Sequence, residues 1–299
     1  MATAPGRRPD VSRLAQIRAR LELPFNQRAV GLLDGRHLSI YRGQGQDFDD
    51  LSLYSPGDDV GDIDWKSSAR SGIPVIKRYV RQNNLDVILA VDTGIAMSAT
   101  AASGEPKAEV AGFAAAVLAF VAHDRGDRVG LVAVDAERTV LLPARGGSAH
   151  LELVLRRLEA AYDGAAPAGD LDRLVERVLT LFPRRALVVL VTDEERPGPE
   201  HAHMLRLLRT RHEVLVLAVA NVDPTGARAH DVEDGRTWPA FLRGRAGLDR
   251  AVTDARAERR ARAAQVLRDA RVLGVVMAGT DDALTQLIAM LGQRRHALR

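Results

Sequence analysis

Five short aliphatic runs, spaced by longer amphipathic stretches, constrain this chain more than any other feature in it. They are Val87–Val91, Val129–Val134, Ala186–Val191, Val214–Ala218 and Val272–Ala278. A run of about four to eight apolar residues without polar alternation suits a strand covered on both faces. Between the runs, the spacing of apolar residues predicts helices over Lys107–His123, His150–Ala161, Leu171–Leu181, His203–Arg211, Leu248–Ala270 and Asp281–Leu291. Strands joined through helices of this length need crossover connections, so the sheet is expected to be mostly parallel with helices on both sides. Thr139–Leu142 reads as a short hairpin partner of the second strand. Aromatic residues are only 4% of the 299, which leaves Val, Leu and Ala to fill the interior and disfavours a β-sandwich. The expected fold class is α/β, with a doubly wound, Rossmann-like sheet.

The sequence ahead of this pattern is organised differently. Val11, Leu14, Ile17 and Leu21 share a helical face that Pro24 ends, and from Leu32 to Tyr79 glycines and prolines punctuate short strands and turns. Three segments follow: an N-terminal helix and tail (1–30), a β-rich segment (31–84) and the α/β domain (85–299). Within the last, Asn221–Gly247 breaks the rhythm and reads as an insertion carrying Trp238-Pro239-Ala240-Phe241. The chain has no Cys, so disulfides, thiolate metal sites and a Cys nucleophile are excluded. Met1–Arg20 lacks an apolar core and no apolar stretch reaches the roughly 18 residues of a membrane span, so a cytoplasmic location is expected. Basic and acidic residues nearly balance, 42 against 39. The Arg-rich stretch Arg256–Arg268, interleaved with Glu258 and flanked by Asp254 and Asp269, therefore reads as a solvated helix face rather than a nucleic-acid site.

Chemistry is most plausible where parallel strands deliver their loops. Asp92, in Val91-Asp92-Thr93-Gly94-Ile95-Ala96-Met97-Ser98, and Asp193, in Thr192-Asp193-Glu194-Glu195, end two of the aliphatic runs. Two such carboxylates could share a hard cation such as Mg²⁺, with Thr93, Ser98, Thr192 and Glu194 as the nearby oxygen donors. Without a metal, Asp92 would cap the turn after it and Asp193 would accept backbone hydrogen bonds. His201-x-His203 lacks a third ligand in register for zinc, and Gly146-Gly147-Ser148 lacks the Lys-Ser/Thr pair of a phosphate loop.

At these positions the chain resembles a von Willebrand factor A domain. That family holds its metal through an Asp-x-Ser-x-Ser loop, a later threonine and a strand-end aspartate. Asp92 and Asp193 match the first and last positions, whereas Gly94, Ala96 and Gly169 stand where the hydroxyl ligands belong. The resemblance implies a von Willebrand factor A-like fold with a degenerate site, hence no cofactor beyond weakly held Mg²⁺.

A second resemblance lies upstream. The run Tyr54-Ser55-Pro56-Gly57-Asp58-Asp59-Val60-Gly61-Asp62-Ile63-Asp64-Trp65-Lys66-Ser67-Ser68-Ala69-Arg70 is similar to the signature of the bacterial domain of unknown function 58 family. Pro56, Gly57, Asp58, Asp59, Asp62, Asp64, Trp65, Lys66, Ala69 and Arg70 carry it. Gly61 departs from the arginine usual there. Read physically, the aspartates would cap turns and pair with Lys66, Arg70, Lys77 or Arg78, and Trp65 would take a mostly buried seat. The resemblance implies a non-enzymatic adaptor working with a MoxR-type AAA+ ATPase in protein maturation or complex assembly; the loops at the carboxyl ends of the strands, with Thr93, Gly94, Ser98 and Glu194, and the insertion with Trp238 are the surface expected to face the partner. The alternative is a Mg²⁺-dependent enzyme that uses Asp92 and Asp193 in phosphoryl transfer or hydrolysis.

Overall fold

The aliphatic runs form strands close to the expected bounds. The computed structural model describes residues 47–54, 63–80, 84–162, 167–223 and 246–296. It divides into two units, Leu33–Asn84 and a larger one formed by Met1–Leu32 with Leu85–Arg299. The expected helix over Val11–Leu23, the signature residues Pro56 to Asp62, and Trp238 with its neighbours lie outside the described residues.

In the smaller unit β1 (Asp47–Leu53) and β2 (Val75–Val80) pair antiparallel, with helix α1 (Trp65–Ser71) between them in sequence. The β-rich expectation omits α1, yet local chemistry accounts for it. The Asp64 carboxylate accepts from Lys66 N–H at 3.1 Å and Ser67 N–H at 3.3 Å, which caps the first turn. Gly72 ends the helix at φ 72°, a left-handed conformation that favours glycine. Asp64 thus takes the capping role expected of it. Trp65 does not take a buried seat: it is 69% exposed, and Lys66, Ala69 and Arg70 are exposed beside it.

The larger unit is a six-stranded sheet in the order β5-β4-β3-β6-β7-β8. Its strands are β3 (Asp86–Asp92), β4 (Arg128–Val134), β5 (Thr139–Arg145), β6 (Leu187–Asp193), β7 (Glu213–Val219) and β8 (Leu273–Met277), and only β5 runs antiparallel to its neighbour. The helices are α2 (Lys107–Asp124), α3 (Ser148–Ala161), α4 (Leu171–Leu181), α5 (Ala202–Arg211), α6 (Ala246–Asp269) and α7 (Thr280–His296). Successive strand residues point to opposite faces. Val87, Leu89 and Val91 accordingly pack with α2, α3 and α7, while Ile88 and Ala90 pack with α4, α5 and α6. The fold is a doubly wound, mostly parallel α/β sheet. Connections leave β3 in one direction toward β4 and resume on its other side at β6, so strand order reverses between β3 and β6. Ligands of such sheets gather outside the strand ends at that reversal. No helix among the described residues is long and apolar enough to cross a membrane.

Candidate functional site at the carboxyl ends of the strands

Asp92 and Asp193 both end strands at the reversal, one residue out of register with each other. Val91 pairs with Val191, which sets Asp92 level with Thr192 and leaves Asp193 one residue further on. One residue along a strand turns a side chain to the other face. Asp92, 1% exposed, follows the parity of Ile88 and Ala90. Its Oδ2 accepts from the Thr192 hydroxyl at 3.0 Å and its Oδ1 from Gly94 N–H at 3.0 Å, the turn-capping contact. Burial pushes the Asp92 carboxyl above its usual range, and the charge of Asp193 adds to this, against the opposing pull of Gly94 N–H, Arg196 and Thr192. Asp193 follows the parity of Val189 and Val191, toward α2.

At two of the three hydroxyl positions, Gly94 and Gly169, the space a side chain would need is already taken. A Cβ on Gly94 would overlap the backbone N and Cα of Gly169, and a Cβ on Gly169 would overlap the Asp92 carboxylate. Serine and threonine ligands cannot be restored there without moving the loop at 168–169. Among the described residues no three His, Asp or Glu side chains cluster as metal ligands.

Cations of the chain itself take the carboxylates instead. Lys107, in the first turn of α2, is fully buried; its Nζ pairs with Asp193 Oδ2 and donates to Asn221 Oδ1 at 2.8 Å. Asn221 follows β7 and donates its own N–H to Glu194 Oε1 at 2.9 Å. Arg256 of α6 is 7% exposed and donates to Glu194 Oε1 at 3.0 Å, to Val222 O at 2.9 Å and to Asn221 O at 3.1 Å. Arg260 lies 3.7 Å from the other oxygen of Glu194, and Arg259 pairs with Glu195. Arg196 stands 4.0 Å from Asp92 Oδ2 while donating to Gly169 O at 3.1 Å.

Several sequence expectations change here. Thr93, Gly94 and Glu194 are buried and present no side chain to a partner. Ser98 is exposed, with its hydroxyl turned back to Ile95 O at 2.7 Å. Arg256 is an interior ligand of Glu194 rather than part of a solvated face. His201 is no zinc candidate, since its Nδ1 accepts from Gly198 N–H at 3.1 Å.

Residues 50–234 match the family described as protein of unknown function DUF58. The chain belongs to that family. Among the relatives of this DUF58 protein are uncharacterised proteins of Mycobacterium tuberculosis and Mycobacterium bovis, each 32% identical over 228 residues, 75% of this chain and 70% of theirs. Two solved structures are similar to it at low identity. One is an aerotolerance-related membrane protein from Bacteroides fragilis carrying multiple mutations to serines, with TM-score 0.45 and 14% identity over 70% of this chain and 99% of that one. The other is the conserved hypothetical protein BatB from Bacteroides thetaiotaomicron, with TM-score 0.44 and 15% identity over the same shares.

The family match spans Asp64 to Arg70, Asp92, Lys107 and Asp193 but stops short of α6, so Arg256, Arg259 and Arg260 lie beyond it. Sequence reasoning missed Lys107, Asn221 and Arg256 as parts of this site. One signal pointed to Lys107. A helix N-terminus carries partial positive charge and disfavours a cation, so a lysine opening an otherwise Ala-rich buried helix calls for a carboxylate partner.

Proposed function

We propose that this DUF58 protein is a non-enzymatic protein-interaction module with a von Willebrand factor A-like α/β domain, acting as an adaptor for a MoxR-type AAA+ ATPase. The observation that carries the non-enzymatic reading is the capture of Asp92, Asp193, Glu194 and Glu195 by cations of the same chain. A general base needs a carboxylate within hydrogen-bond reach of substrate, and Asp92 and Asp193 are instead buried and held by internal donors. The Mg²⁺-dependent alternative loses its donor set for the same reason.

Recognition is assigned to the signature helix. Trp65, Lys66 and Arg70 are exposed together, and tryptophan and arginine are the residue types most enriched at the energetic centres of interfaces. The basic pair favours an acidic face on the ATPase. The test is binding of the purified protein to the MoxR-type ATPase of the same genome, with ATP turnover measured in parallel. A complex that Trp65→Ala and Arg70→Glu each weaken at least about tenfold, while Asp92→Asn leaves it intact, is expected. No complex, or one indifferent to both α1 substitutions, sinks the reading.

A further inference from the structure

We propose that the Lys107 ammonium, held by Asp193 and Asn221, is the resident cation of the strand-end site and does there the loop-tying work of a divalent ion. A metal at such a site ties together loops from different strands, and Lys107 does the same. Its own N–H donates to Ala99 O at 2.9 Å, which anchors the loop after β3. Its Nζ joins Asp193 at the end of β6 to Asn221 after β7. Asn221 Nδ2 closes the set on Asp193 Oδ1 at 3.4 Å.

Charge balance points the same way. Asp92, Asp193, Glu194 and Glu195 are four carboxylates, and Lys107, Arg196, Arg256, Arg259 and Arg260 are five cations paired with them. No net negative charge remains to repay stripping water from Mg²⁺, an ion that gives up water reluctantly. The lysine also sits against the unfavourable end of the α2 dipole and is fully buried, so its charge is tolerated through Asp193. The loops are consequently held in one arrangement whatever the divalent-ion concentration. The proposal does not depend on the partner assigned above, because its test uses the isolated full-length protein.

The experiment combines thermal unfolding with electron paramagnetic resonance of added Mn²⁺. The wild-type Tm is expected to be the same in EDTA, millimolar MgCl₂ or MnCl₂, and the free Mn²⁺ signal to remain undiminished. Lys107→Met orphans a buried carboxylate and is expected to lower Tm by about 10 °C. The double variant Lys107→Met/Asp193→Asn removes the orphan charge and is expected to recover most of that loss. Saturable Mn²⁺ uptake by the wild type, a Lys107→Met protein as stable as wild type, or no recovery in the double variant overturns the proposal. Should Lys107→Met not fold, folding of the double variant supports the charge role, and its failure to fold counts against it.

Discussion

His212 illustrates how a single residue can carry a pH dependence the sequence does not advertise. It follows α5 and precedes β7, is 1% exposed, and neither ring nitrogen has a hydrogen-bond partner among the described residues. Burial holds its pKa below 6.5, with Arg211 and Arg185 adding to the effect. The unfolded chain therefore takes up a proton more readily than the folded one. Stability present above about pH 6.5 is lost as pH falls through the folded-state pKa. His212→Leu removes two buried nitrogens that lack partners, so it is expected to stabilise by about 1 kcal/mol at neutral pH. The gap should widen in acid, because the leucine variant loses nothing to protonation. Urea unfolding of both proteins at neutral and mildly acidic pH reads this directly, and a gap that stays constant or narrows refutes the assignment. Asp92 and Asp193 teach a related lesson at this scale. Their placement at strand ends is legible from the aliphatic runs, but which face each points to depends on register with the neighbouring strand. That register pairs residues 100 positions apart, and no local pattern encodes it.

At the scale of elements, hydrophobic periodicity gives bounds within a residue or two for most strands and helices. Leu171–Leu181 is matched at both ends, and Val87–Val91 grows only to Asp86–Asp92. Helix α1 escapes because about two turns are too short for periodicity to register, and its signal lies in the Asp64 cap and Gly72 instead. Helix α6 is legible as a helix, whereas its role is not. Composition makes Arg256 look like a solvent residue, yet it pins the first half of α6 to the loops after β6 and β7, while Ala263 and Val266 are buried in the second half. Arg256→Ala leaves the buried Glu194 carboxylate with the Asn221 N–H and, at 3.7 Å, the half-exposed Arg260, a loss expected at about 3 kcal/mol. Arg256→Lys is expected to recover less than half, since a single ammonium cannot reproduce donation to Glu194, Val222 and Asn221 together. Chemical denaturation of the two variants decides it. Full recovery by lysine would mean that charge alone holds α6.

Across the whole molecule the sheet has two outer strands, and the chain treats them differently. β5 carries Pro143 within it and ends in Arg145, features that discourage a further strand from pairing. β8 is a five-residue parallel strand with α6 and α7 packed against it, and no strand among the described residues pairs beyond it. Leu273 and Val276 are 41% and 52% exposed there, and the strand holds no charged residue. An unguarded apolar edge is a template for pairing with another chain. A net charge of only +3 on 299 residues supplies little long-range repulsion to prevent it. The wild-type protein is therefore expected to self-associate as concentration rises, and Val276→Lys to suppress this by placing a charge at the edge. Because Val276 is already half exposed, the substitution should change unfolding free energy by no more than about 0.5 kcal/mol. Light scattering across a concentration series, with unfolding measured alongside, separates the possibilities. Equal scattering from the two proteins would place any association elsewhere on the surface, whereas a large loss of stability would mean that Val276 packs more tightly than its exposure implies.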